Sequence, residues 1–121
     1  MIMRSHLRTV VLRPYITGLG PVFYLKLWAA DRTDWRGQTR IAYELRQDGK
    51  VLFSGADFCG SPLDADDSDA TVAALLGFLT LRPGDTDAEY FENYTPEQLE
   101  FCSLHAEALG IEALRRFGNE N

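Results

Sequence analysis

DADDSDATVAALLGFLTL, residues 64–81, joins the densest acidic run of the chain to its most apolar one. The last twelve residues of that stretch carry no charge. Val72, Leu75, Leu76 and Leu79 recur at i, i+3, i+4 and i+7, one face of an α-helix. Asp66, Asp67 or Ser68 is placed to cap its first N–H groups, and the remaining carboxylates favour the positive end of its dipole. Ala70, Ala73, Ala74 and Gly77 keep the rest of the surface slim enough for close packing on several sides. The stretch therefore reads as a central helix, and everything before and after it is arranged around that helix.

Before it, the apolar pattern has a period of two. Leu7 to Leu12 is β-rich and ends at Pro14, and Gly18, Gly20 and Pro21 mark a turn. In Val22 to Ala30, Phe23, Leu25, Leu27 and Ala29 form one face, while Tyr24, Lys26 and Trp28 form a mixed one. Asp31 to Thr39 reads as a polar loop. Ile41 to Phe53 reads as a hairpin. A two-residue turn at Asp48-Gly49 sets Glu44 opposite Phe53. A three-residue loop, Gln47-Asp48-Gly49 with Gly49 left-handed, pairs Leu45 with Val51 and Tyr43 with Phe53, and so segregates apolar from polar. The second register is the one expected. Asp57 to Pro62 then reads as a turn into the central helix.

After the helix, Pro83 and Gly84 stop it. Thr86 and Glu89 have capping-box spacing for a short helix from Asp87 to Asn93. Thr95-Pro96-Glu97-Gln98 is a stronger helix start, with a cap, proline at the first position and Gln98 to close the box. Tyr94 and Leu99 stand at staple positions. The helix is expected to bury Leu99, Cys102, Ala106 and Leu109, to be interrupted at Gly110 and to end by Gly118. Strands first and helices afterwards predict an α+β fold: a four-stranded antiparallel sheet followed by three or four helices packed on one face. A strand at 78–81 in a split βαβ arrangement is the alternative.

The length of 121 residues suits one domain. Arg4, Arg8 and Arg13 interrupt any signal-peptide core. The twelve-residue uncharged run falls short of the ~20 residues that span a bilayer. A cytoplasmic, non-membrane protein with reduced thiols is expected. Charge divides unevenly: residues 1–56, a β-rich half, carry a net of +5, and residues 57–121, a helical half, carry −11. Either the two halves attract each other within the fold, or an acidic face is presented to a basic partner.

The candidate chemistry is sparse. Asp64, Asp66 and Ser68 copy the first ligands of a calcium loop, but Asp69 and Leu75 stand where that loop needs glycine and glutamate. Cys59 lies at a strand–helix junction, yet only His6 and His105 could serve it as a base and no motif places either. G-x-S-x-G, C-x-x-C, H-E-x-x-H and phosphate-loop patterns are all missing. No catalytic residue, metal ligand or cofactor is assigned. Arg32, Trp35, Arg36 and Arg40 could stack on a nucleic-acid strand, but Asp31 and Asp34 among them and a pI near 4.8 oppose direct nucleic-acid binding. Trp35 and Arg36 suit a protein interface instead. Asp85 to Tyr94 (DTDAEYFENY) interleaves carboxylates with aromatics. With Glu97 and Glu100 it makes an extended negative surface able to occupy a groove built for phosphates.

FLTLRPGDTDAEYFENYTPEQLEF, together with DRTDWRG at 31–37, resembles small open reading frames of phages and mobile elements that carry no assigned activity. The resemblance implies a setting in which small acidic proteins inhibit host defence complexes. The expected function is thus a non-enzymatic protein-binding module, an anti-CRISPR-like inhibitor of a host nucleic-acid-binding complex. Its partner-binding residues are expected to be Asp85, Asp87, Glu89, Tyr90, Glu92, Glu97, Trp35 and Arg36, and its partner a basic-surfaced host protein. The alternative is a small enzyme or metal-dependent hydrolase built on the Asp57–Asp69 turn.

Overall fold

Phe23, Leu25 and Leu27 alternate with Tyr24, Lys26 and Trp28, and all three of the former are completely buried. That alternation gives the sheet one dry face and one open face. A computed structural model describes residues 4–15, 20–33, 39–60, 69–82, 84 and 87–118. Four strands, β1 (Arg4–Leu12), β2 (Phe23–Thr33), β3 (Thr39–Gln47) and β4 (Lys50–Gly60), form an antiparallel sheet in chain order. Three helices follow: α1 (Asp69–Leu79), α2 (Pro96–Leu104) and α3 (Ala106–Phe117), with a 3-10 turn at Ala88–Phe91 before α2. The fold is α+β, with Val10, Leu12, Ile41, Leu45 and Phe53 of the sheet sharing one core with Val72, Leu76, Phe101 and Leu109 of the helices.

The hairpin of β3 and β4 corrects the expected register. Asp48 (φ 52°) and Gly49 (φ 81°) are both left-handed, which is a two-residue turn of the primed type. Gln47 pairs with Lys50 and Arg46 with Val51. A bulge at Leu52 then shifts the ladder by one residue, so Leu45 faces Phe53 and Tyr43 faces Gly55. Leu45–Val51 and Tyr43–Phe53 are therefore not partners, although Phe53 does reach the core. The bulge, not a longer loop, restores the apolar face. Tyr43 packs against Gly55, where a Cβ would stand 2.8 Å from its ring. A second bulge, at Leu7, turns His6 to the open face beside Trp28.

Other boundaries differ for similar reasons. Asp31–Thr33 extends β2 and Thr39 opens β3, so the expected polar loop is shorter than 31–39. Asp57–Gly60 continues β4 where a turn was expected. Residues Asp87 to Asn93 form only the 3-10 turn. The helix break falls at His105, where φ is −125°, and Gly110 is interior to α3. Gly110 serves close packing instead: a Cβ there would stand 3.2 Å from Thr80 Oγ1. Leu99 is exposed, and so are Ala74 and Gly77, so α1 packs on fewer sides than its slim residues allowed. The proposed caps Asp66, Asp67, Ser68 and Thr86 lie outside the described residues.

The Thr95 cap forms as read. Thr95 Oγ1 accepts from the Gln98 N–H at 3.1 Å, and the Thr95 N–H donates to Gln98 Oε1 at 3.0 Å. The Gln98 amide nitrogen also donates to the Leu52 carbonyl at 2.6 Å, so one side chain closes the cap and ties α2 to the bulge. Leu76 is fully buried in α1. Leu76→Ala should cost about 2–5 kcal/mol in chemical denaturation; a loss under about 1 kcal/mol would make α1 peripheral.

Candidate functional site

The segment from the 3-10 turn into α2 is short, polar on one side and anchored by aromatics on the other. Phe91 is the buried anchor. Its ring meets Tyr94 edge-on at 5.1 Å and Tyr90 at 5.5 Å, and Tyr90 in turn meets Phe78 of α1 at 6.1 Å. Tyr94 continues the chain of rings to Phe53 at 5.6 Å. These edge-to-face contacts fix the turn against both α1 and β4. The Tyr94 phenol is pushed up to about 12, chiefly by burial and further by its neighbour Tyr90. It therefore stays protonated and acts as a hydrogen-bonding group, not a base.

With Phe91 buried and Tyr94 half-buried, the carboxylates of this segment stand at the surface. Asp87, Glu89, Glu92, Glu97 and Glu100 are all exposed, and Tyr90 sits among them at 36% exposure. Residues 83–114 contain eight carboxylates and no Lys or Arg. The described ion pairs of the helical layer lie elsewhere: Arg8 with Asp69, Arg82 with Glu107 and Arg116 with Glu112. Asp87, Glu89, Glu92 and Glu97 thus make no ion pair with a cation among the described residues. Glu97 lines two clefts where α2 meets the β3–β4 hairpin, of about 290 and 500 Å³. Lys50 and Leu52 line both as well.

Of the expected partner-binding residues, Asp87, Glu89, Tyr90, Glu92 and Glu97 are all exposed. Asp85, Trp35 and Arg36 lie outside the described residues. Of the acidic cluster before α1, Asp69 pairs with Arg8 at 2.5 Å, and Asp64, Asp66 and Asp67 lie outside the described residues, as does the Cys59 side chain. Among the described residues, no group of three His, Cys, Asp or Glu side chains is placed to share a metal ion. Cys102 is buried, and burial pushes its thiol up, which suits a packing residue better than a nucleophile.

Two polar locks escaped the sequence reading. Glu112 is buried on α3; its Oε2 accepts from the Arg13 N–H at 3.0 Å and from Arg116 Nη1 at 2.9 Å. Arg116 Nη1 also donates to the Val11 carbonyl at 2.6 Å, so α3 caps the outer edge of β1. The spacing of Glu112 from Leu109 and Ala113 placed it on an apolar helix face, which was the available signal. Tyr15 Oη lies 2.5 Å from His105 Nδ1, and the imidazole also meets Phe23 edge-on at 5.7 Å. No motif announced that pair, because 90 residues separate its members.

No family model, curated protein or solved structure matches this chain. No helix among the described residues is long and apolar enough to cross a membrane.

Burial lowers the pKa of His105, opposed in part by Glu100. The unfolded state therefore binds more protons than the folded one between the lowered value and about 6.5. Stability from this group is full above about pH 6.5 and falls as pH drops toward the folded pKa. His105→Gln, which keeps a side-chain hydrogen-bonding group, should flatten that part of the stability–pH curve in urea titrations. An unchanged slope would mean that other groups set it.

Proposed function

We propose that this protein is a non-enzymatic binding module that engages a basic surface on another protein through Asp87, Glu89, Tyr90, Glu92 and Glu97. The observation that supports the reading most is the run of exposed carboxylates that make no ion pair among the described residues, with the exposed Tyr90 between them in the chain. An acidic strip held on a rigid aromatic base suits electrostatic steering, and the tyrosine supplies apolar contact at the centre. A surface of this kind fits a groove that otherwise takes nucleic-acid phosphates. In the genetic setting that the sequence resemblance implies, the specific function is stoichiometric inhibition of a host nucleic-acid-binding defence complex. Asp85, Trp35 and Arg36 belong to the same proposal as further partner contacts.

Reversing Asp87, Glu89 and Glu92 to lysine should leave the fold intact, since solvated charges shift stability by under about 0.5 kcal/mol each. Glu97 lies in the first turn of α2, where its charge favours the helix dipole, so Glu97→Gln is the appropriate separate variant. Binding to the host complex should fall by about tenfold or more in the triple variant, and the wild-type complex should weaken as salt rises. A complex already loaded with nucleic acid should not bind. Salt-insensitive binding retained by the triple variant would overturn the proposal.

A further inference from the structure

α3 has a second apolar stripe that nothing among the described residues covers. Ala106, Leu109, Ala113 and Phe117 make its buried side. On the far side, Ile111 is 58% and Leu114 67% exposed, two of the three most exposed large apolar side chains among the described residues. Beside this stripe runs a groove of about 310 Å³ between α1 and α3, lined by Ala73, Gly77, Gly110, Ile111 and Leu114. Gly77 has open space where a side chain would stand, so the groove is accessible from outside.

The charges flanking the stripe indicate what covers it. Glu107, Ile111 and Arg115 lie four residues apart, so they form a single ridge on the helix surface. All three are exposed. Arg115 makes no hydrogen bond or ion pair among the described residues. Glu107 meets Arg82 at 3.2 Å through Oε2 only, with its side chain 69% exposed. The ridge is self-complementary about its centre, with a carboxylate one turn before Ile111 and a guanidinium one turn after. Two helices that pack by such ridges lay them side by side. When the copies run antiparallel, Glu107 of each lies beside Arg115 of the other, and Ile111 meets Ile111. A parallel pair would set like charges against each other at both ends, which costs binding energy. Leu114 stands on the neighbouring ridge, one turn after Gly110, and lines the same groove.

We propose that α3 is a homodimerisation helix, on which a second copy of this chain docks antiparallel about a two-fold axis passing near Ile111. The interface is isologous, as a closed dimer requires. It does not use Asp87, Glu89, Tyr90 or Glu92, so it stands independently of the acidic-face reading. Sedimentation equilibrium of the full chain from low micromolar to near-millimolar concentration tests it. The mass should rise toward twice the 13.6 kDa chain mass. Ile111→Glu and Leu114→Glu should each weaken the dimer by about tenfold or more, with unchanged circular dichroism because both side chains are exposed. Arg115→Glu should also weaken it, and adding Glu107→Arg should restore association by exchanging the charges across both ends. A monomer at every concentration would overturn the proposal. So would a dimer indifferent to Ile111→Glu, or one weaker in the double charge reversal than in Arg115→Glu alone.

Discussion

Phe101 is the wedge on which the two layers meet. Its ring lies edge-on to Phe23 of β2 at 5.5 Å and to Phe53 of β4 at 5.6 Å, and the residue is almost completely buried. Each such pair contributes about 0.5–1.5 kcal/mol beyond the area it hides. The contact requires Phe53 to point inward, which a two-residue turn alone would not achieve. The bulge at Leu52 reverses the side-chain alternation, and the Gln98 amide then takes up the Leu52 carbonyl. Turn, bulge, helix cap and core are therefore one connected arrangement.

That arrangement separates the charges. The sheet turns Lys26 and Arg46 toward its open face, where Arg46 donates to Glu44 at 2.7 Å. The helical layer buries Glu112 and exposes the other described carboxylates, and α3 uses Arg116 to bridge Glu112 Oε2 and the Val11 carbonyl. The Arg8–Asp69 pair joins the layers at one edge, a surface bridge of modest worth. Among the described residues the carboxylates at 87–97 take no part in this pairing, which makes the strip a candidate for contact with another molecule.

Periodicity made most of the fold legible. The alternation in Phe23–Leu27 and the helical spacing of Val72, Leu75, Leu76 and Leu79 marked the layers, and Thr95 to Gln98 marked a helix start that forms with both of its hydrogen bonds. The failures were local. A bulge adds a residue without changing composition, so the β3–β4 register was misjudged although Phe53 was rightly turned inward. Gly110 looked like a break because glycine disfavours helices, whereas its small size serves the approach to Thr80. Leu99 falls at an apolar helical spacing, yet it is exposed. The acidic strip was legible as charge, but which of its members form ion pairs depends on which cations the fold brings near, and sequence does not carry that. The Tyr15–His105 pair needed the third dimension for the same reason.

The central functional claim is that residues 87–97 form the contact surface for a basic partner. Its most direct test is a titration of ¹⁵N-labelled protein with an oligo-arginine peptide, followed by amide chemical shifts at low and high salt. Shifts concentrated at Asp87, Glu89, Tyr90, Glu92 and Glu97 that vanish at high salt are the predicted result. Shifts spread evenly over the acidic surface, or confined to the open face of the sheet around Tyr24 and Trp28, would contradict it.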